Sequence, residues 1–396
     1  MHKVVFIGFL LFLPIVLTTC EHPVEVDYSV TKFVKTFGGS NFDEGRSIQQ
    51  TTDGGFIIAG TTSSFGNGSS DIWLIKTDAE GNEEWNQTFG GSSSEEGHSV
   101  QQTTDGGFII TGKTRSYGNG NADVWLIKTD LEGREEWNRT FGGSDWDGGF
   151  FVQQTSDGGF IISGMTLSFG NGGSDVWLVK TDREGKEEWN RTFGESGSDN
   201  VSSAQQTVDG GYMITGSSGL DVWLIKTDSA GKQEWQRVIR KKSFMLEGDS
   251  FQITSDGGVI LTGYTRARTG IDGSVDVWLV KTDREGKEEW NRTFGGSGWD
   301  DARSVQPTTD GGYVIVGTTR RSFGNGDFDD VYLIKTDSQG YEQWSRTFGG
   351  SGYDVGWSGL QTNDGGFILA RHTQTSENDD TDVWLIKTDS QGNTIP

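Results

Sequence analysis

An Asp-Gly-Gly turn recurs down this chain, beginning at Asp53, Asp105, Asp157, Asp209, Asp256, Asp310 and Asp364, and it constrains the fold more than any other feature. Each turn is followed by a Lys-Thr-Asp triplet, ending at Asp78, Asp130, Asp182, Asp228, Asp283, Asp337 and Asp389. Successive turns lie 52, 52, 52, 47, 54 and 54 residues apart. A fixed period of this size marks one supersecondary unit copied along the chain, each copy burying its apolar faces against its neighbours. Residues 175–194 and 276–295 are identical, so part of the array is a direct copy.

Four strands fit within one unit. A short strand over residues 47–51 meets the Asp53 turn, where glycine supplies the positive φ of a tight hairpin. Residues 56–62 and 71–78 are apolar without alternation, so each needs cover on both faces, as in a sheet sandwiched between two others. After the Ala79-Glu80-Gly81 turn, a fourth strand around residues 85–89, with Glu83, Glu84 and Asn86 beside it, suits a solvated outer edge.

The two ends of the array complement each other. Residues 31–37 match a fourth strand, with Phe33 in place of Trp85, but nothing before them supplies the other three; the last unit stops after its third strand at Asp389. The expectation is an all-β, seven-bladed β-propeller over residues 31–392, its N-terminal strand completing the last blade and removing both open edges. Twelve tryptophans at repeat positions, Trp73 and Trp85 in the first unit, are expected to fill the wedges between blades.

The segment Lys76-Thr-Asp-x-x-Gly81-x-x-x-Trp85 resembles the tryptophan-docking motif of quinoprotein propellers, which implies a blade-packing device. With four histidines and one cysteine, the chain shows no counterpart of those enzymes' cofactor site. As a whole, residues 31–392 resemble the secreted, uncharacterised prokaryotic propeller repeats of the DGGFIIAG…DxWLIKTD type, which implies fold and export but no activity.

Residues 1–20 read as an export signal: Lys3, an apolar run over residues 4–17, then Leu17-Thr18-Thr19-Cys20. The ending resembles the lipobox of prokaryotic lipoproteins, which implies lipidation at Cys20. Thr19 departs from that family's Gly, Ala or Ser, so an uncleaved membrane anchor is the alternative. Residues 21–30 read as a linker and 393–396 as a tail. The expected address is the cell surface, or secretion, with membrane contact only through the N-terminal anchor. Cys20 is the only cysteine, which excludes an intrachain disulfide. Lys and Arg number 33 against 57 Asp and Glu, a net charge of -24 that repels nucleic acid.

Function is sought where the repeats differ. The Asp-Gly-Gly and Lys-Thr-Asp turns share one face and barely vary; the loops entering the first strand and joining the second to the third share the other, and these do vary. Ten residues before each turn stand Asp43, Glu95, Asp147, Asp199, Leu246, Asp300 and Asp354, a nearly uniform acid column suited to accepting backbone N–H bonds. One residue earlier come Phe42, Ser94, Trp146, Ser198, Met245, Trp299 and Tyr353. Seven before the turn come Arg46, His98, Phe150, Ser202, Asp249, Arg303 and Trp357, a mixed column placed near the mouth of a central channel. Order beside such mixing points to an asymmetric binding surface. Exposed rings flanked by carboxylates suit a glycan or a protein hot spot; the bland reading is that Trp146, Trp299 and Trp357 pack under their own loops.

Other features carry weaker signals. Arg237, Arg240, Lys241 and Lys242 form a basic cluster in an acidic chain, suited to an anionic group or to plain solvation. The loop over residues 65–71 and the acids Asp327, Asp329 and Asp330 offer oxygen ligands for calcium, though without an EF-hand pattern. No His/Cys cluster, phosphate loop or nucleophile elbow is present, which removes the commonest metal, nucleotide and acyl-transfer sites. The acid column could still supply a carboxylate pair for glycoside hydrolysis. The leading expectation is therefore a binding or scaffolding protein, with a glycan-active hydrolase or a ligand-free spacer as alternatives.

Overall fold

Each Asp-Gly-Gly turn is built by its own first residue. Asp53 Oδ1 accepts the Gly55 N–H at 3.0 Å, and the Gly54 N–H donates to the Thr51 carbonyl at 2.9 Å. Gly54 needs its φ of 89°, whereas Gly55 is glycine because a Cβ would collide with the Thr77 carbonyl oxygen. The same bonds recur at Asp105, Asp157, Asp209, Asp256, Asp310 and Asp364.

The computed structural model describes residues 30–218, 221–239, 246–266, 274–296, 298–320, 329–350, 352–374 and 381–395, without the side chains of 246–249, 266 and 374. The N-terminal segment with Cys20 lies outside these residues. Twenty-eight strands and no helix are found among them. After β1 (Phe33–Phe37), the first repeat comprises β2 (Asp43–Gln50), β3 (Phe56–Thr62), β4 (Asp71–Thr77) and β5 (Glu83–Phe89), antiparallel in that order. Five such four-stranded sheets stand separately. Eight further strands form two more sets, linked by one parallel bridge between Val275 of β20 (Val275–Thr282) and Trp299 of β22 (Trp299–Pro307).

In the last sheet β1 takes the outer place. It pairs antiparallel with β28 (Thr381–Thr388), setting Phe33 opposite Lys387, and β27 (Phe367–Gln374) and β26 (Asp354–Gln361) complete the order.

The cores lie between neighbouring sheets. Ile57, Ile72, Leu74 and Phe89 of the first repeat pack with Val100, Phe108 and Trp125 of the second. Ile48, Phe56 and Trp73 pack in the same way with Ile368, Val383 and Leu385 of the last. Trp73, Trp125, Trp177, Trp223 and Trp278 on third strands are buried and Trp384 is half-buried; Trp73, Trp125 and Trp177 donate Nε1–H to Asn86, Asn138 and Asn190 on the adjoining outer strand.

Outer-strand tryptophans dock across repeats. A Cβ on Gly133 would come 2.5 Å from the Trp85 ring, and Trp137, Trp189, Trp235, Trp290 and Trp344 sit likewise against Gly185, Gly231, Gly286, Gly340 and Gly392. Phe33 holds that place over Gly81. Glutamines stitch the same neighbours together: Gln102, Gln154, Gln206 and Gln361 accept turn N–H bonds from Thr52, Thr104, Ser156 and Thr309. Gln50 of the first repeat accepts the N–H of Asn363 in the last at 2.9 Å.

Candidate functional site

The first strand of every repeat is longer than its sequence pattern implies. It runs over Asp43–Gln50 rather than 47–51, because a β-bulge interrupts the alternation that would mark a strand. Gly45 opposes Gly60 and Ser47 opposes Ala59, so Arg46 has no partner across the ladder. The same slip isolates His98, Phe150, Ser202, Asp249, Arg303 and Trp357. The mixed column is therefore the bulged residue of each repeat, inside a strand rather than in a loop. A bulge bends its strand and re-aims the extra side chain.

Those side chains meet. Arg46, His98, Phe150, Ser202, Arg303 and Trp357 line one cavity of ≈ 320 Å³, walled by first strands from every repeat. The Asp249 side chain lies outside the described residues. Around the cavity the contacts differ from repeat to repeat. Arg46 Nε donates to Glu44 at 2.7 Å, and its Nη1 reaches Glu96 at 3.4 Å. Glu96 also pairs with Lys113 at 2.9 Å. His98 Nδ1 is 2.7 Å from the Gly149 carbonyl, so it donates there, and its ring stacks on Phe150 at 5.0 Å. Burial pushes the His98 pKa down, opposed by Glu96, which lies 3.5 Å from Nε2.

Beside Arg46, whose Cζ lies 5.5 Å from the Trp357 centroid, Trp357 Nε1 donates to His372 Nδ1 at 3.1 Å. Arg303 pairs with buried Asp301 at 3.3 Å, and its Nε is buried with no acceptor among the described residues. Glu44, Glu96, Asp301, Lys113 and His372 were not singled out in the sequence. The signal was available for the acids: they stand nine residues before the turn, two before the bulged column, and alternate residues of a strand share a face.

The acid column lies beneath this surface. Asp43, Glu95, Asp147, Asp199 and Asp354 each begin a first strand, Asp300 stands second in its own, and all six are only 0 to 3 % exposed. Each carboxylate accepts a loop N–H, from Gly39, Gly91, Gly143, Glu195, Gly296 and Gly350 respectively, at 2.8 to 2.9 Å. A second carboxylate from the preceding repeat adjoins most of them. A Cβ on Gly142, for example, would collide with Asp123 Oδ1 and lie 2.8 Å from Asp147 Oδ2. Burial, with Asp147 beside it, pushes Asp123 up to about 6. At Asp354 the pair meets Arg371, which stands where the other second strands carry glycine and is fully buried, 3.0 Å from Asp354. Burial pushes that guanidinium down to about 9.

The column before the acids divides. Phe42, Trp299 and Tyr353 are 40, 38 and 46 % exposed, whereas Trp146 is half-buried against Phe150, with Lys113 over its ring. Trp299 leans on Tyr264, 5.8 Å between centroids. Phe65, Tyr117 and Phe169 add exposed rings from the loops between second and third strands, each tilted onto a third-strand tryptophan. In the basic cluster, Arg237 lies over Trp235, and Arg240, Lys241 and Lys242 fall outside the described residues. Of the calcium candidates, Asp71 accepts the Asn67 N–H, Asp329 pairs with Arg320, and Asp327 is outside the described residues. Among the described residues no three His, Cys, Asp or Glu side chains are grouped to hold a metal.

No family model matches the sequence, and no curated protein matches it. Solved structures do. The WD40 domain of Neurospora crassa Pan2 superposes with a TM-score of 0.56 at 11% identity, over 92% of this chain and 97% of that one. The polysaccharide lyase Uly1 gives 0.54 at 9% identity, over 89% and 91%. YCF48, solved bound to a D1 peptide, gives 0.51 at 10% identity, over 92% and 98%. At these identities the likeness concerns architecture alone: the chain is an all-β repeat protein with a β-propeller fold.

Proposed function

We propose that this chain is a closed seven-bladed propeller, exported and held at the cell surface by its N-terminal segment, which binds a glycan or a protein at the mouth of its central cavity. One observation carries the binding reading: a column of the repeat with six residue types in seven positions coincides with the bulged residue of each first strand, and its described side chains line a single cavity. Rigid sheets holding dissimilar side chains around one concavity are the usual form of a binding site. Closure is supported by the β1–β28 pairing, by Gln50 bonding to Asn363, and by Phe33 over Gly81. Export is supported by the apolar run ahead of Cys20.

The acid column gives the hydrolase reading little help, since its carboxylates are buried and engaged with loop N–H groups. A screen of the protein against immobilised glycans and purified surface proteins, beside a Trp146/Trp299/Trp357→Ala variant, tests the proposal. Capture by the parent and not by a folded variant is expected. Equal capture by both would place binding away from these rings and contradict the proposed site, and capture by neither would contradict binding and favour a spacer.

A further inference from the structure

Resting on that reading, we infer that the cavity mouth beside Trp357 takes a carboxylate-bearing sugar, with Arg303 and Arg46 as its anion ligands. Two guanidiniums from different repeats gather at one ring: Arg303 Cζ lies 4.1 Å and Arg46 Cζ 5.5 Å from the Trp357 centroid.

The protein does not exhaust either group. Arg303 meets Asp301 through one terminal nitrogen at 3.3 Å, and its Nε is buried with no acceptor among the described residues. Arg46 is held through Nε by Glu44 and through Nη1 by Glu96. A guanidinium carries five N–H donors, so both keep donors for a further anion. Glu44 and Asp301 are buried behind the arginines and orient them. A planar carboxylate matches the guanidinium fork and accepts two parallel bonds.

The rest of the wall decides between a sugar and a peptide. Ser99, Ser202, Ser250 and Ser304 line it with hydroxyls, and Phe150 and Trp357 supply flat rings. That combination satisfies a hydroxylated ring better than it satisfies an aliphatic side chain.

Isothermal titration of the full chain tests this with glucuronate- and galacturonate-terminated trisaccharides, their neutral glucose and galactose counterparts, and a triglutamate peptide. The acidic sugars are expected to bind about tenfold tighter than the neutral ones, ~1.4 kcal/mol. Arg303→Ala should remove that preference, and Arg303→Lys should restore part of it. Equal affinity for acidic and neutral sugars, with binding still lost in Trp357→Ala, would overturn the inference and leave the binding function standing. Tighter binding of triglutamate would overturn the sugar assignment, and no binding of any probe would overturn the inference outright.

Discussion

The two faces of each repeat obey different rules although the same strands reach both. On the turn face, buried Lys76 bonds Asp53 at 2.9 Å and Glu84 at 2.7 Å, and Lys128, Lys180, Lys226 and Lys281 repeat that arrangement almost unchanged. On the loop face, the bulged position holds Arg, His, Phe, Ser, Asp, Arg and Trp in turn. A buried ammonium must have its carboxylates, so substitution there is costly. A bulged residue has no cross-strand partner, so its side chain is released from the pairing that fixes its neighbours.

The largest effect that would sharpen this contrast is on the turn face. Lys180→Ala should cost about 3 kcal/mol of stability, because Asp157 and Glu188 lose their shared cation; their partial exposure keeps the loss from being larger. Denaturant unfolding measures it, and a loss under about 1 kcal/mol would remove the distinction between faces.

The buried carboxylate pairs come next. Asp123 has a pKa of about 6 in the folded chain, above its unfolded value, so its contribution is fully present below about pH 4 and is lost as pH rises through 6. Unfolding free energy should therefore fall by about 2 kcal/mol more in the parent than in Asp123→Asn between about pH 4 and pH 7. The turn-face acids oppose this trend at lower pH: Asp157, near 2, contributes stability that is lost as pH falls through that value. Identical pH profiles for parent and variant would show that the pair holds no proton.

Much of the fold was legible because its determinants are local. Residues 56–62 read as a strand and form one, since an unbroken apolar run between turn signals admits little else. Phe33 and Asp389 betrayed the complementary ends, as only strand counting was needed. The site was legible only in part. The mixed column was found, but Arg46 and Trp357 were read as loop residues, because a bulge erases the period-two signal. Arg371, hidden at a glycine position, gave no sign that it would sit beside Asp354, a neighbour set by packing between strands rather than by spacing.

Two smaller effects sharpen the comparison further. Trp357→Ala should weaken ligand capture about tenfold, ~1.4 kcal/mol, with little change in unfolding. A comparable loss of stability would make Trp357 a packing residue. At the seam, Lys32 stands where other outer strands carry Glu84 and its equivalents, leaving Lys387 with Asp364 alone; burial pushes the Lys387 pKa down. Lys32→Glu should give Lys387 a second partner at the loss of the Lys32–Asp389 pair at 3.6 Å, so the net change in stability should stay within about 0.5 kcal/mol, read from the denaturation midpoint.

The most direct test of the central claim replaces the bulged residues together. Ser202 is already a bulged serine in an intact strand, so Arg46, Phe150, Arg303 and Trp357 can all be changed to Ser. Ligand capture and thermal unfolding of that variant are measured beside the parent. Abolished capture by a still-folded protein, its melting temperature lowered because buried Glu44 and Asp301 lose their arginines, is the predicted result, while retained capture, or a collapse of the fold, would contradict it.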